Sequence, residues 1–215
     1  MSKMNLPNKL TMLRLCAVPL MTVFLLLPAQ WIAWQVAYGV GLVLFALTSL
    51  TDMLDGKIAR GRGLITNFGK FMDPVADKFM VIGTLMALLF RMLNPHIYGV
   101  VYETPFVAVY FAAVILIIFR ELAITSLRLV LVNASGTVVA ANMLGKIKTV
   151  SQIACICLLF IEPLADALIL HLAPDYALAG VYPLSWLLVG VMSVFTLWSG
   201  INYIKGGWKF ISTDW

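Results

Sequence analysis

Apolar residues gather in six blocks along the chain, at about residues 10–28, 31–60, 70–93, 105–132, 145–170 and 184–204. Wound as an α-helix rising about 1.5 Å per residue, each block reaches across the roughly 30 Å of hydrocarbon in a bilayer. Clusters rich in Gly, Pro and Asn separate them: "LPAQW", "RGRGLITNFG", "NPHIYG", "NASGTV" and "LAPDYALAGVYP". A short amphipathic piece at residues 5–9 precedes the first block. The pattern predicts an all-α integral membrane protein, a six-transmembrane-helix bundle with a short N-terminal amphipathic segment, residues 1–215 forming a single domain. The second block is the longest. As one helix it would run about 45 Å and project beyond the hydrocarbon.

Composition agrees with this reading. Of 215 residues, 62% are hydrophobic and 12% charged, whereas a soluble domain is about half apolar and a quarter charged. The start, "MSKMNLPNKLTMLRLCAVPL", has the cation-then-apolar order of a signal peptide, but five similar blocks follow, which favours a first membrane helix. Cys16, Cys155 and Cys157 all lie in apolar blocks without a CxxC pair, so they read as small apolar side chains and not a disulfide framework. The net charge of +5 is spread unevenly. Lys3, Lys9, Arg60, Arg62, Lys70, Lys146, Lys148, Lys205 and Lys209 fall at the termini or near the second and fourth loops. The other loops carry Glu103, Asp166 and Asp175, with Arg91 the nearby cation. This asymmetry orients a membrane protein and does not describe a nucleic-acid surface. An even number of spans places both termini in the cytoplasm, and with them the loop between blocks two and three.

That loop is flanked by residues that do not belong in lipid. "TDMLDGKIARGRGLITNFGKFMDPVADK", residues 51–78, carries Asp52, Asp55, Asp73 and Asp77, although a charged side chain costs about 2.5–3.5 kcal/mol at the centre of an inserted helix. Asp52 lies about 31 Å along the second block and Asp77 about 24 Å from the outer end of the third, so the two acid pairs reach similar depth. Helical spacing puts Asp52, Asp55, Gly56, Ala59 and Arg60 on one stripe and Gly69, Asp73 and Asp77 on another. Glycine and alanine there admit a ligand or a neighbouring backbone. Four converging carboxylates would repel one another, and two divalent cations would balance them. All-oxygen ligands favour Mg²⁺ or Mn²⁺ over zinc. A carboxylate-held metal pair suits phosphate clamping, with Arg60, Lys70 and Lys78 as further phosphate contacts.

The spacing Asp52-x2-Asp55-Gly56-x2-Ala59-Arg60-x8-Gly69-x3-Asp73-x3-Asp77 resembles the signature of the CDP-alcohol phosphotransferase family of membrane enzymes, with all eight positions filled. The resemblance implies a six-helix bundle, commonly a homodimer, that moves a phosphatidyl or similar group from a CDP-activated donor to an alcohol and releases CMP. It implies Asp52, Asp55 and Asp73 as ligands of one metal, Asp52, Asp73 and Asp77 as ligands of a second, and Asp77 as proton acceptor from the attacking hydroxyl. Gly56, Ala59, Arg60, Thr66 and Gly69 fall where the family contacts the CDP moiety. "PNKLTMLR" resembles the family's entry into helix one and places Asn8 and Thr11 beside the nucleotide; read structurally, the same two residues are a helix cap. The implied location is a bacterial-type inner membrane with the active site facing the cytoplasm.

"FRELAITSLR" (119–128), "LGKIKT" (144–149) and "TLWSGINYIKGGWKF" resemble the branch of the family that joins CDP-diacylglycerol to sn-glycerol 3-phosphate. Arg120, some 15 residues into the fourth block, needs an anionic partner. Glu121 projects about 100° away on the helix and is a poor one, which leaves the acceptor's phosphate, with Arg128, Lys146 and Lys148 converging beside it. Two alternatives stand: another acceptor (inositol phosphate, serine or phosphatidylglycerol), or, more distantly, a cation transporter. Against the transporter, the acids cluster at one membrane face without an interrupted helix pair or inverted repeat.

Overall fold

A computed structural model of the chain describes residues 5–61, 66–135, 143–173, 175 and 180–211; the side chains at positions 6, 7, 55–61, 67, 70, 129–135 and 207–211 lie outside that description. The elements are α1 (Leu6–Leu25), α2 (Trp34–Gly61), α3 (Asn67–Leu93), the single turn α4 (Pro95–Tyr98), α5 (Thr104–Ser135), α6 (Met143–Leu172) and α7 (Pro183–Ile211). The all-α expectation holds. Among the described residues, five helices (α1, α2, α5, α6 and α7) are long and apolar enough to cross a membrane, so this is a multi-pass membrane protein. The third, α3, is 27 residues long but carries Lys70, Asp73, Asp77, Lys78 and Arg91 along its length. One detail differs from the expected layout. The amphipathic piece at residues 5–9 is not a separate element, because α1 begins at Leu6 with Pro7 in its first turn, where a missing N–H costs nothing.

Helices in lipid gain little from hydrophobic burial against one another and are held by close packing and interhelical hydrogen bonds. Here α1 packs on α2 and α3, α6 on α2 and α7, and α5 on α3 and α7. The stripe Asn8, Thr11, Arg14, Val18, Met21 and Leu25 on α1 is buried throughout, and its steps of three and four residues are those of one helix face. Its lower half is polar and its upper half apolar. That gradient fixes which end of the bundle can hold a polar site.

Two buried charges tie down the other end. Arg91 is 1% exposed and donates to the carbonyls of Leu25 (2.5 Å) and Tyr98 (3.2 Å). Its guanidinium also lies 4.9 Å from the ring centre of Tyr38 and 4.7 Å from that of Tyr98. It thereby meets the carbonyl end of α1, where a helix dipole favours a cation. Glu162 does the converse: its carboxylate accepts from the backbone N–H groups of Leu184 (3.0 Å) and Ser185 (2.7 Å), in the first turn of α7, whose amides lack intrahelical partners.

Candidate active site

Three residues of α1, three apart, reach across to α3 in register. Thr66, the residue before α3, accepts the Gly69 N–H (3.0 Å) and donates its own hydroxyl proton to Asn8 Oδ1 (2.9 Å). Next along, Thr11 donates to Asp73 Oδ1 at 2.7 Å. One turn further, Arg14 Nη1 donates to Asp77 Oδ1 at 2.7 Å and also bonds Asp52 of α2. Numbering rises on both α1 and α3 along this ladder, so the two helices run parallel. Asn8 and Thr11 are therefore not a helix cap: Asn5 occupies that position, and the pair is free to bridge helices.

The sequence placed Asp52 and Asp77 at one depth, and the structure brings both to a single guanidinium nitrogen. Arg14 is fully buried at the side chain, whereas Asp52 and Asp77 remain 32% and 48% exposed. The cation forms a floor and the carboxylates open above it. Gly69 is the small residue this cradle requires. A Cβ there would lie 3.3 Å from Asn8 Oδ1, 3.3 Å from Thr66 Oγ1 and 3.7 Å from Asp73 Oδ2. Among the described side chains, Asp52, Asp73 and Asp77 outnumber Arg14, so the arrangement favours added positive charge. Among the described residues no three acidic, His or Cys groups form a ready-made metal cage. Oxygen-only donors of this kind nonetheless fit a hard divalent cation. The side chains of Asp55, Gly56, Ala59, Arg60 and Lys70 lie outside the described residues.

A second cluster adjoins the first. Arg120 Nη1 donates to Glu121 Oε1 at 2.9 Å, Lys148 of α6 bonds the same oxygen, and Arg120 Nη2 donates to Ser199 Oγ of α7 at 2.5 Å. Glu121 is thus a partner of Arg120 after all. The angle between neighbouring Cβ directions did not decide the matter, because the long arginine side chain bends back to a carboxylate that Lys148 also holds. Lys78, beside Asp77, is near enough for its charge to act on Lys148. Of the other cations expected here, Arg128 lies over the Tyr203 ring at 5.9 Å, and Lys146 is exposed. Two residues from Lys148, it sits about 200° round the helix.

Residues 4–198 match the family described as CDP-alcohol phosphatidyltransferase. The chain belongs to that family. It is 38% identical to a CDP-diacylglycerol–glycerol-3-phosphate 3-phosphatidyltransferase of Bacillus subtilis (strain 168), covering 98% of each chain. An enzyme of the same name from Pseudomonas fluorescens is 29% identical over 98% of this chain and 94% of its own. A cardiolipin synthase (CMP-forming) from Oryza sativa subsp. japonica is 31% identical over 97% of this chain and 59% of its own.

Within this CDP-alcohol phosphatidyltransferase, Arg14 is the site residue that sequence reasoning passed over. The signal was available: Arg14 is the one charged residue between Lys9 and Asp52, and it follows Asn8 and Thr11 at the same three-residue step. A lone cation inside a membrane helix asks for an acid on a neighbouring helix. What the family member offers chemically is a set of half-buried carboxylates, a small-residue cradle lined by hydroxyl and amide oxygens, and a basic cluster alongside.

Proposed function

We propose that the chain transfers the phosphatidyl group of CDP-diacylglycerol to sn-glycerol 3-phosphate, giving phosphatidylglycerophosphate and CMP. The observation that carries this reading is the meeting of Asp52 from α2 with Asp73 and Asp77 from α3 along one face of α1, beside a cradle that a Cβ at Gly69 would crowd. The names of the bacterial relatives support the choice of donor and acceptor.

Asn8, Thr66 and Gly69 line the place for the cytidine diphosphate, with Thr11 orienting Asp73 through its hydroxyl. The family resemblance assigns Gly56, Ala59 and Arg60 to the same place. Two cations, Mg²⁺ or Mn²⁺, held by Asp52, Asp55, Asp73 and Asp77, would neutralise the pyrophosphate and the charge that builds on it. The acceptor's C1 oxygen attacks the phosphatidyl phosphorus, its proton passes to Asp77, and the bond from that phosphorus to the CMP oxygen breaks. Arg120 and Lys148 hold the acceptor's phosphate. The cations Arg60, Arg62, Lys70, Lys146 and Lys148 support a cytoplasmic setting for this end of the bundle, in a bacterial-type inner membrane, and the resemblance to the family supports a homodimer.

Asp77→Asn separates proton acceptance from binding. Loss of a general base costs about 10²–10⁴ in rate, so CMP release should fall at least a hundredfold while labelled CDP-diacylglycerol still binds. Retention of half the turnover would remove Asp77 from this role.

A further inference from the structure

The acceptor end holds an acid that the transfer itself does not use. Glu121 sits among cations and is itself largely buried: side-chain exposures are 13% for Arg120, 13% for Glu121 and 9% for Lys148. Both cations bond one and the same carboxylate oxygen, Oε1. Two like charges brought this close in a medium of low dielectric repel strongly, and the oxygen between them is what allows it. Arg120 is confined further. Its Nη2 is spent on Ser199, and its Cγ passes so close to α7 that a Cβ on Gly200 would lie 3.2 Å away. Its Nε is buried with no protein partner among the described residues.

We propose that Glu121 is a positioning residue for the acceptor: its carboxylate gathers Arg120 from α5 and Lys148 from α6 into one preformed site for a dianionic phosphate monoester. The proposal rests on the reading of the acceptor given above and deepens it. Arg120, Glu121 and Lys148 together carry one net positive charge, and the nearby Lys78 adds a second. The cluster therefore stays charged without being neutralised by its own carboxylate, and a phosphate dianion completes its balance. Without Glu121 the two cations would separate, and the acceptor would have to bring them together at the cost of its own binding energy. Gly200 serves the same end from α7 by leaving room for the arginine stem.

The test is steady-state kinetics of CMP release by full-length enzyme in detergent–lipid micelles, varying acceptor and donor separately. Glu121→Gln keeps the shape and removes the charge. Its KM for sn-glycerol 3-phosphate should rise about tenfold or more, the weight of one charge-assisted hydrogen bond, with the KM for CDP-diacylglycerol within about twofold of wild type. Inorganic phosphate, as a competitive inhibitor, should weaken by the same factor. Glu121→Asp should recover part of the loss. Gly200→Ala, which keeps every charge but crowds Arg120, should shift the same acceptor constant in the same direction. If Glu121→Gln instead lowers kcat and leaves both KM values alone, or raises both equally, the carboxylate is structural and the proposal fails. Wild type that makes no phosphatidylglycerophosphate would overturn the underlying reading of the acceptor; wild type that makes it, with an unchanged acceptor KM in Glu121→Gln, would overturn the role of Glu121 alone.

Discussion

Gly69→Ala sets two effects of known size against each other. Alanine is about 1 kcal/mol better than glycine inside a helix, and Gly69 lies in the first turn of α3 with its N–H already capped. Against that gain, the added methyl would stand 3.3 Å from both Thr66 Oγ1 and Asn8 Oδ1, so each must give by a few tenths of an ångström. Neither atom moves freely. Thr66 Oγ1 is held by the Gly69 amide at 3.0 Å, and Asn8 by Thr66 at 2.9 Å. Backing Thr66 away stretches an N-cap worth about 1 kcal/mol. The two terms nearly cancel, and the melting temperature should move by no more than a few degrees. Function should not be spared, because the methyl fills the space between Asn8, Thr66 and Asp73. The KM for CDP-diacylglycerol should rise about tenfold, the equivalent of about 1.4 kcal/mol of lost contact. Thermal unfolding in detergent together with CMP release at varied donor concentration decides the point. A variant with wild-type donor KM, or one that has lost most of its stability, would refute the reasoning.

Two further substitutions probe the two ends of the bundle. Arg14→Gln removes the cation shared by Asp52 and Asp77; the carboxylates are 32% and 48% exposed, so water screens part of the cost, and about 1–3 kcal/mol of stability should be lost in chelator. Added Mn²⁺ should raise the melting temperature of this variant more than that of wild type, and an unchanged melting temperature in chelator would contradict the ion pairing. Arg91→Met strands the carbonyls of Leu25 and Tyr98 and should cost about 2–4 kcal/mol with kcat unaltered, because Arg91 lies at the far end from the carboxylates; a fall in kcat at temperatures where the variant is folded would count against that separation.

Much of this arrangement was legible because helix geometry is rigid. A fixed rise per residue was enough to put Asp52 and Asp77 at one depth, and a fixed turn angle was enough to place Gly69, Asp73 and Asp77 on one stripe. Arg14 was harder to see, since its partners are 38 and 63 residues away and its own block signals it only by its isolation and by its three-residue step from Asn8 and Thr11. Glu121 was misjudged for a different reason. Cβ directions describe short side chains well, but an arginine stem lets the guanidinium reach an adjacent carboxylate, and the decisive neighbour, Lys148, comes from another helix. The continuous start of α1 was also hidden: Lys9 lies on the exposed side of the helix, while Asn8, Thr11 and Arg14 turn inward to α3, so a polar stretch that looked interfacial is half site.

A competition reaction identifies the acceptor. Purified enzyme, Mg²⁺ or Mn²⁺ and labelled CDP-diacylglycerol are offered an equimolar mixture of sn-glycerol 3-phosphate, inositol phosphate, serine and phosphatidylglycerol, and the labelled lipids are separated and identified. Phosphatidylglycerophosphate should be the main product, formed one for one with CMP. A main product carrying serine or inositol phosphate, or cardiolipin formed on phosphatidylglycerol, would contradict it.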